Sequence, residues 1–179
     1  PCGRGLAARP PAGADVQVWA YSRTSNDPLR MVTVHDALPP SVDVHSETDI
    51  FGYASSTFAS DAGAPVTFTI PYNPGSSNRP SIGFGALDVL LTCSEAIRLA
   101  TGTAPPHCHA YTRLGNNGIT GTSFYNHVSG SMSLLGGAAG NLDGSDTDYF
   151  DEAVIAHEYG HFVELNLGHS LSRGGPHSG

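Results

Sequence analysis

Turn-forming residues cut the first 72 positions into runs too short for helices. Pro10, Pro11, Gly13, Asn26-Asp27-Pro28, Pro39-Pro40 and Asp61-Ala62-Gly63 recur at short intervals. Each fixes or frees the backbone in a way that a continuing helix does not tolerate. Between them, Val16-Gln17-Val18-Trp19-Ala20-Tyr21 alternates apolar and polar residues, the period of a half-buried strand. Leu29 to Val34, Thr48 to Ala54 and Val66 to Ile70 are further strand candidates. Short strands at this spacing predict an antiparallel β-sandwich over residues 1–72. With 22 Gly and 13 Pro, the composition also fits a strand- and loop-rich chain better than a helical bundle.

The run from Pro71 to Pro80 is dense in turn formers and nearly free of apolar residues, so residues 73–82 are expected to link two domains. Beyond it, over 83–179, the pattern changes. Leu87, Leu90, Leu91, Ala96, Ile97 and Leu99 give helical spacing from Ala86 to Thr101, and Gly102 stops it. Cys108 to Leu114, Thr120 to Asn126 and Ser131 to Leu135 are short strand candidates. A last apolar run of helical period holds Phe150, Val154, Ile155, Phe162, Val163 and Leu165. Asp146 or Asp148 is expected to cap this helix, Asp151 and Glu152 suit the positive end of its dipole, and Gly168 suits its end. The fold class is therefore α+β, an N-terminal sandwich followed by an α/β subdomain with a long C-terminal helix.

Inside that last helix stands His157-Glu158-Tyr159-Gly160-His161. Residues four apart lie on one helix face, so the imidazoles of His157 and His161 can point at one metal ion. Glu158 sits one step round, where a general base for zinc-activated water is needed. The predicted site is thus His157 and His161 as Zn²⁺ ligands and Glu158 as the catalytic residue.

Around this motif the chain resembles the zincin metallopeptidases. The phrase Asp-Glu-Ala-Val-Ile-Ala-His-Glu-Tyr-Gly-His-Phe-Val at 151–163 is most similar to the gluzincin branch. The chain is also similar to secreted bacterial proteins that join such a domain to an N-terminal β-sandwich. Gly13-Ala14-Asp15-Val16-Gln17-Val18 resembles the opening of prealbumin-like or carboxypeptidase-regulatory-like domains. The resemblance implies a secreted zinc endopeptidase acting on extended peptide or protein substrates. It also implies that Ser131 to Leu135 is the edge strand above the metal, able to hold a peptide by strand addition.

Catalytic zinc takes three protein ligands and a water, so two histidines leave the set incomplete. The metzincin pattern H-E-x-x-H-x-x-G-x-x-H fails here, with Glu164 at the glycine position and Leu167 at the last histidine. A gluzincin takes its third ligand from a glutamate on a second helix, yet no glutamate follows Glu164. Glu164 itself lies about 10 Å along the helix axis from His157, which fits a carboxylate supporting the ligands rather than joining them. His169 and His177 are weaker substitutes. The third ligand is expected beyond Gly179, in a longer polypeptide of which this chain is a fragment. The alternative is a non-catalytic binding or adhesion protein with a degenerate zincin-like domain, and an amidase acting on something other than protein would share the same chemistry.

Remaining signals are weaker. The net charge is −8, from 16 acidic and 8 basic residues, and an acidic chain without a basic cluster argues against nucleic acid or an anionic membrane as a partner. No apolar run reaches the length of a membrane span. Cys2, Cys93 and Cys108 form no metal-binding pair of short spacing, leaving a Cys93–Cys108 disulfide and small buried thiols as alternatives. Asn141, Asp143, Asp146, Asp148 and Asp151 do not match an EF-hand and are expected to cap a helix or lie in a solvated loop. His107 and His109 alternate on one strand face, as in a two-histidine metal clip, although hydrogen-bonded histidines are the commoner occupants of such positions.

Overall fold

The computed structural model describes residues 10–24, 29, 31–46, 48–60, 67, 69–71, 80–116, 121–138 and 146–168. It is a mixed α/β structure with two helices and several small sheets. The strands are β1 (Asp15–Val16), β2 (Trp19–Tyr21), β3 (Val32–His35), β4 (Gly52–Ala54), β5 (Phe58–Ala59), β6 (Cys108–Tyr111), β7 (Phe124–Asn126) and β8 (Ser131–Ser133). The helices are α1 (Pro80–Thr101) and α2 (Glu152–Asn166). No described helix is long and apolar enough to cross a membrane.

The principal sheet has the order β3-β6-β8-β7. β3 pairs parallel with β6, and β6 parallel with β8, whereas β7 runs antiparallel to β8 at the edge. Parallel neighbours need a crossover, and α1 lies within the one joining β3 to β6. Alternation along the strands then sorts the side chains. Val32 and Val34, Cys108 and Ala110, and Met132 join Ile82, Ala86 and Leu90 of α1 and Ile155, Tyr159 and Phe162 of α2 in one core. Thr33, His35, His109, Tyr111, Ser131 and Ser133 are also buried, and by the same alternation they form the sheet's other, polar face.

Two strand pairs stand apart from this sheet, β1 with β5 and β2 with β4. They are two-stranded ladders, and the described residues do not establish the sandwich expected over 1–72. β3, one of its expected strands, belongs instead to the sheet under the helices. Phe51 joins that core as well, its ring packed against Gly83 of α1 where any Cβ would collide with it. Of the strand expected over 66–70, Thr67, Thr69 and Ile70 lie outside regular structure, and positions 66 and 68 fall outside the described residues.

The expected linker also changes at its end. Residues 73–79 fall outside the described residues, but Pro80 begins α1. A proline that reads as a breaker is favoured in the first turn of a helix, where its missing N–H costs nothing. The helix ends as expected at Gly102, whose φ of 71° is readily available to glycine and whose N–H reaches Arg98 O at 2.9 Å.

Asp151, rather than Asp146 or Asp148, caps α2, accepting from the N–H groups of Ala153 and Val154 at 3.0 and 3.1 Å. Asp148 ties the helix entry to the sheet instead. Its carboxylate accepts from Ser123 Oγ at 2.5 Å, and Ser123 Oγ accepts from Leu135 N–H at 2.9 Å. Burial pushes the Asp148 carboxyl above its ordinary range, with the Ser123 bond opposing. A cap contributes about 1 kcal/mol, whereas fully burying Ile155 or Phe162 contributes about 1.5–3 kcal/mol each. Packing therefore holds α2 in place, and the cap fixes where it starts.

Candidate functional site

α2 buries Ile155, Glu158, Tyr159 and Phe162, a stripe at helical spacing. His157 and His161 flank it. His157 is exposed and His161 half-buried, and their rings meet edge to face with centres 4.9 Å apart and planes at 90°. The structure therefore brings the two predicted histidines together on one helical turn. Glu158, in the same turn, keeps only 5% of its surface exposed. Glutamate is rarely buried to this degree without a partner.

Two imidazoles on one tetrahedral zinc, each nitrogen about 2.0–2.1 Å from the metal and each ring centre about 1.1 Å further out, have centres about 5 Å apart. The separation of 4.9 Å fits that requirement. Glu164 approaches from the next turn, its Oε2 3.6 Å from His161 Nδ1. This is longer than a hydrogen bond, and it involves Nδ1 rather than Nε2. Among the described residues, no group of three or more His, Cys, Asp or Glu side chains converges as a metal-binding set. His169 and His177 lie outside the described residues.

The strand beside α2 is not the expected one. Ser131–Ser133 (β8) is internal, flanked by β6 and β7, so the expected edge at 131–135 is occupied. The edge is β7, whose Tyr125 packs edge to face on Phe162 at 6.0 Å. Its hydroxyl accepts from Asn166 Nδ2 at 3.4 Å. Among the described residues β7 thus ends the sheet at the margin nearest the second half of α2.

Of the acidic cluster, Asn141 and Asp143 lie outside the described residues, while Asp148 and Asp151 serve the helix entry. Cys93 and Cys108 are free thiols, which settles their alternative against a disulfide. Burial drives the Cys108 thiol up to about 12. A shallow cleft between α1 and α2 is lined by Asp88, Thr92, Cys93, Glu152, Ala153 and Ala156, beside the motif but without its three side chains.

His107 and His109 both lie within hydrogen-bond distance of neighbouring side chains. Thr33 Oγ1 lies 2.9 Å from His107 Nε2, and His35 Nε2 lies 2.9 Å from His109 Nδ1. The sequence reading missed His35 and His45 as members of this group. The period-two placement of Thr33 and His35 was the only local signal.

Comparisons with protein-family models, with curated proteins and with solved structures found no match to this chain.

Proposed function

We propose that the protein is a zinc-dependent peptidase, secreted as its resemblance implies, with His157 and His161 as metal ligands and Glu158 as general base. The observation that carries this reading is the perpendicular pair of imidazoles 4.9 Å apart, with a buried carboxylate in the same turn. Zinc held there would make water acidic enough to lose a proton near pH 7 and would polarise the scissile carbonyl. Glu158 would take the proton from the attacking water and hand it to the departing amine, one carboxyl serving both steps. The outer side of β7, the terminal strand of the sheet among the described residues, would take an extended peptide as an added strand, its backbone bonds giving affinity without demanding particular side chains.

The lack of a third donor among the described residues favours a second reading, a binding or adhesion module whose zincin-like site is degenerate. Metal content separates the two. In the natural polypeptide that carries this sequence, plasma mass spectrometry should find zinc in a stoichiometric amount, lost in His157→Ala and in His161→Ala. A zinc-free protein after purification without chelators, and after dialysis against zinc, would leave only the binding module.

A further inference from the structure

We infer that Trp19, Tyr21 and Arg23 form a binding platform for an uncharged glycan. The inference is independent of the zinc reading. Residues two apart on a strand share a face, so β2 and its continuation set these three side chains in one row. Trp19 and Tyr21 are 57% and 49% exposed. Their ring centres lie 6.4 Å apart with planes 18° from parallel, and the Arg23 guanidinium stands over the Tyr21 ring at 5.9 Å. Across the ladder Trp19 faces Ala54 and Tyr21 faces Gly52. No partner side chain on β4 therefore rises higher than a methyl group beside the rings. A Cβ at Gly52 would stand 3.3 Å from Cε1 of Tyr21 and crowd its ring.

The row is fastened at both ends. Val18 N–H donates to Ser55 Oγ at 3.0 Å, and Ser55 N–H donates to Val18 O at 2.9 Å. Buried Ser22 donates its hydroxyl to Val34 O at 2.7 Å and its N–H to Phe51 O at 2.9 Å. Arg23 itself bridges to Thr33 of β3. Rings carried on an anchored strand lose little freedom when a ligand arrives. Two of them in register are what recognition by stacking requires.

The chemistry of the row selects the ligand. A pyranose ring presents a face of C–H groups and a rim of hydroxyls. The C–H groups suit the electron-rich face of an aromatic ring. The hydroxyls match the indole N–H of Trp19, the phenol of Tyr21 and the guanidinium of Arg23 as bonding partners. Nucleic-acid bases also stack on aromatic rings, but their phosphates call for a positively charged groove. This chain carries 16 acidic against 8 basic residues, a balance that disfavours an anionic glycan as well. A polyproline segment docks in an aromatic-lined groove, whereas Gly52 and Ala54 leave this surface without a wall on the β4 side.

Trp19 is the sole tryptophan of the chain, so its fluorescence reports this surface. The full chain is titrated with cello-, xylo-, manno- and malto-oligosaccharides and with N-acetylchito-oligosaccharides. At least one should change the Trp19 emission saturably, with an affinity that about 0.5 M salt leaves unaltered, since no charges are paired. Calorimetry with that oligosaccharide should show binding weakened about tenfold or more in Trp19→Ala and in Tyr21→Ala. Tyr21→Phe, which keeps the ring, should bind within a few-fold of the wild type, and Leu99→Ala, an exposed position on α1, should bind equally well. Emission unmoved by every oligosaccharide, or equal calorimetric binding by Trp19→Ala and the wild type, would overturn the platform. So would saturable binding of single-stranded DNA or of a polyproline peptide alone, titrated in parallel.

Discussion

Oε2 of Glu164 lies 3.6 Å from Nδ1 of His161, one turn further along α2. A carboxylate that hydrogen-bonds the far nitrogen of a metal-bound histidine typically accounts for about 10–100-fold in metal affinity. This one stands beyond hydrogen-bond distance, and its side chain is 45% exposed. Solvent screening therefore weakens the contact. Glu164→Gln is expected to weaken zinc binding by less than about tenfold, measured by competition with a chromophoric chelator. A loss well beyond about a hundredfold would instead make Glu164 a ligand.

Asp151 caps α2 through two backbone N–H groups. Asp151→Ala should lower stability by about 1 kcal/mol, within about 0.5–2 kcal/mol, in urea unfolding. Asp151→Asn should recover most of the loss, because asparagine caps nearly as well.

Gly83 lies under the ring of Phe51, whose Cβ, Cγ and Cδ2 all stand in the way of a methyl group. Gly83→Ala gains helix propensity of up to about 1 kcal/mol. It loses about 1–3 kcal/mol by displacing a packed aromatic. The net outcome should be destabilisation, seen as a lower urea midpoint, and the second substitution Phe51→Leu should reduce the penalty. An equal penalty in the Phe51→Leu background would show that the ring is not the obstacle.

His109 gives the fold its acid sensitivity. Its imidazole is held down to about 3 in the folded chain, against about 6.5 when unfolded. The unfolded chain therefore binds the extra proton first as pH falls. Stability from this group is fully present above about pH 6.5 and declines below it, by at most about 1.4 kcal/mol per pH unit for one proton. Urea midpoints measured at descending pH should show this decline, and His109→Phe should flatten it.

The parts of this fold legible in the sequence are those set by neighbours a few residues away. The α2 run could be read from its apolar period and from the histidines within it, because an α-helix closes its own bonds over four residues. The strand positions of β2, β3, β6 and β8 followed from short apolar runs. Partnership did not. The contact of His35 with His109 spans 74 residues, and nothing in Val32–His35 alone specifies β6 as its neighbour. Reading the N-terminal strands as a separate sandwich therefore misplaced β3. Pro80 misled for a simpler reason, since the same ring that breaks a helix interior suits its first turn. The edge was misassigned to Ser131–Leu135 because Met132 and Leu134 mark a buried strand, whereas edge position depends on what pairs beyond it. At the candidate site the motif histidines were legible, being four apart on one helix. The buried histidine group was not, because it is assembled from two paired strands and a returning loop.

Glu158→Gln in the natural polypeptide, assayed for zinc and for cleavage of an unstructured protein substrate, tests the proposed chemistry most directly. The amide is nearly the same shape but cannot accept the proton. The variant should keep zinc in the same proportion as the wild type, and its kcat/KM should fall by about 10²–10⁴-fold. Retained zinc with undiminished cleavage would contradict Glu158 as the base.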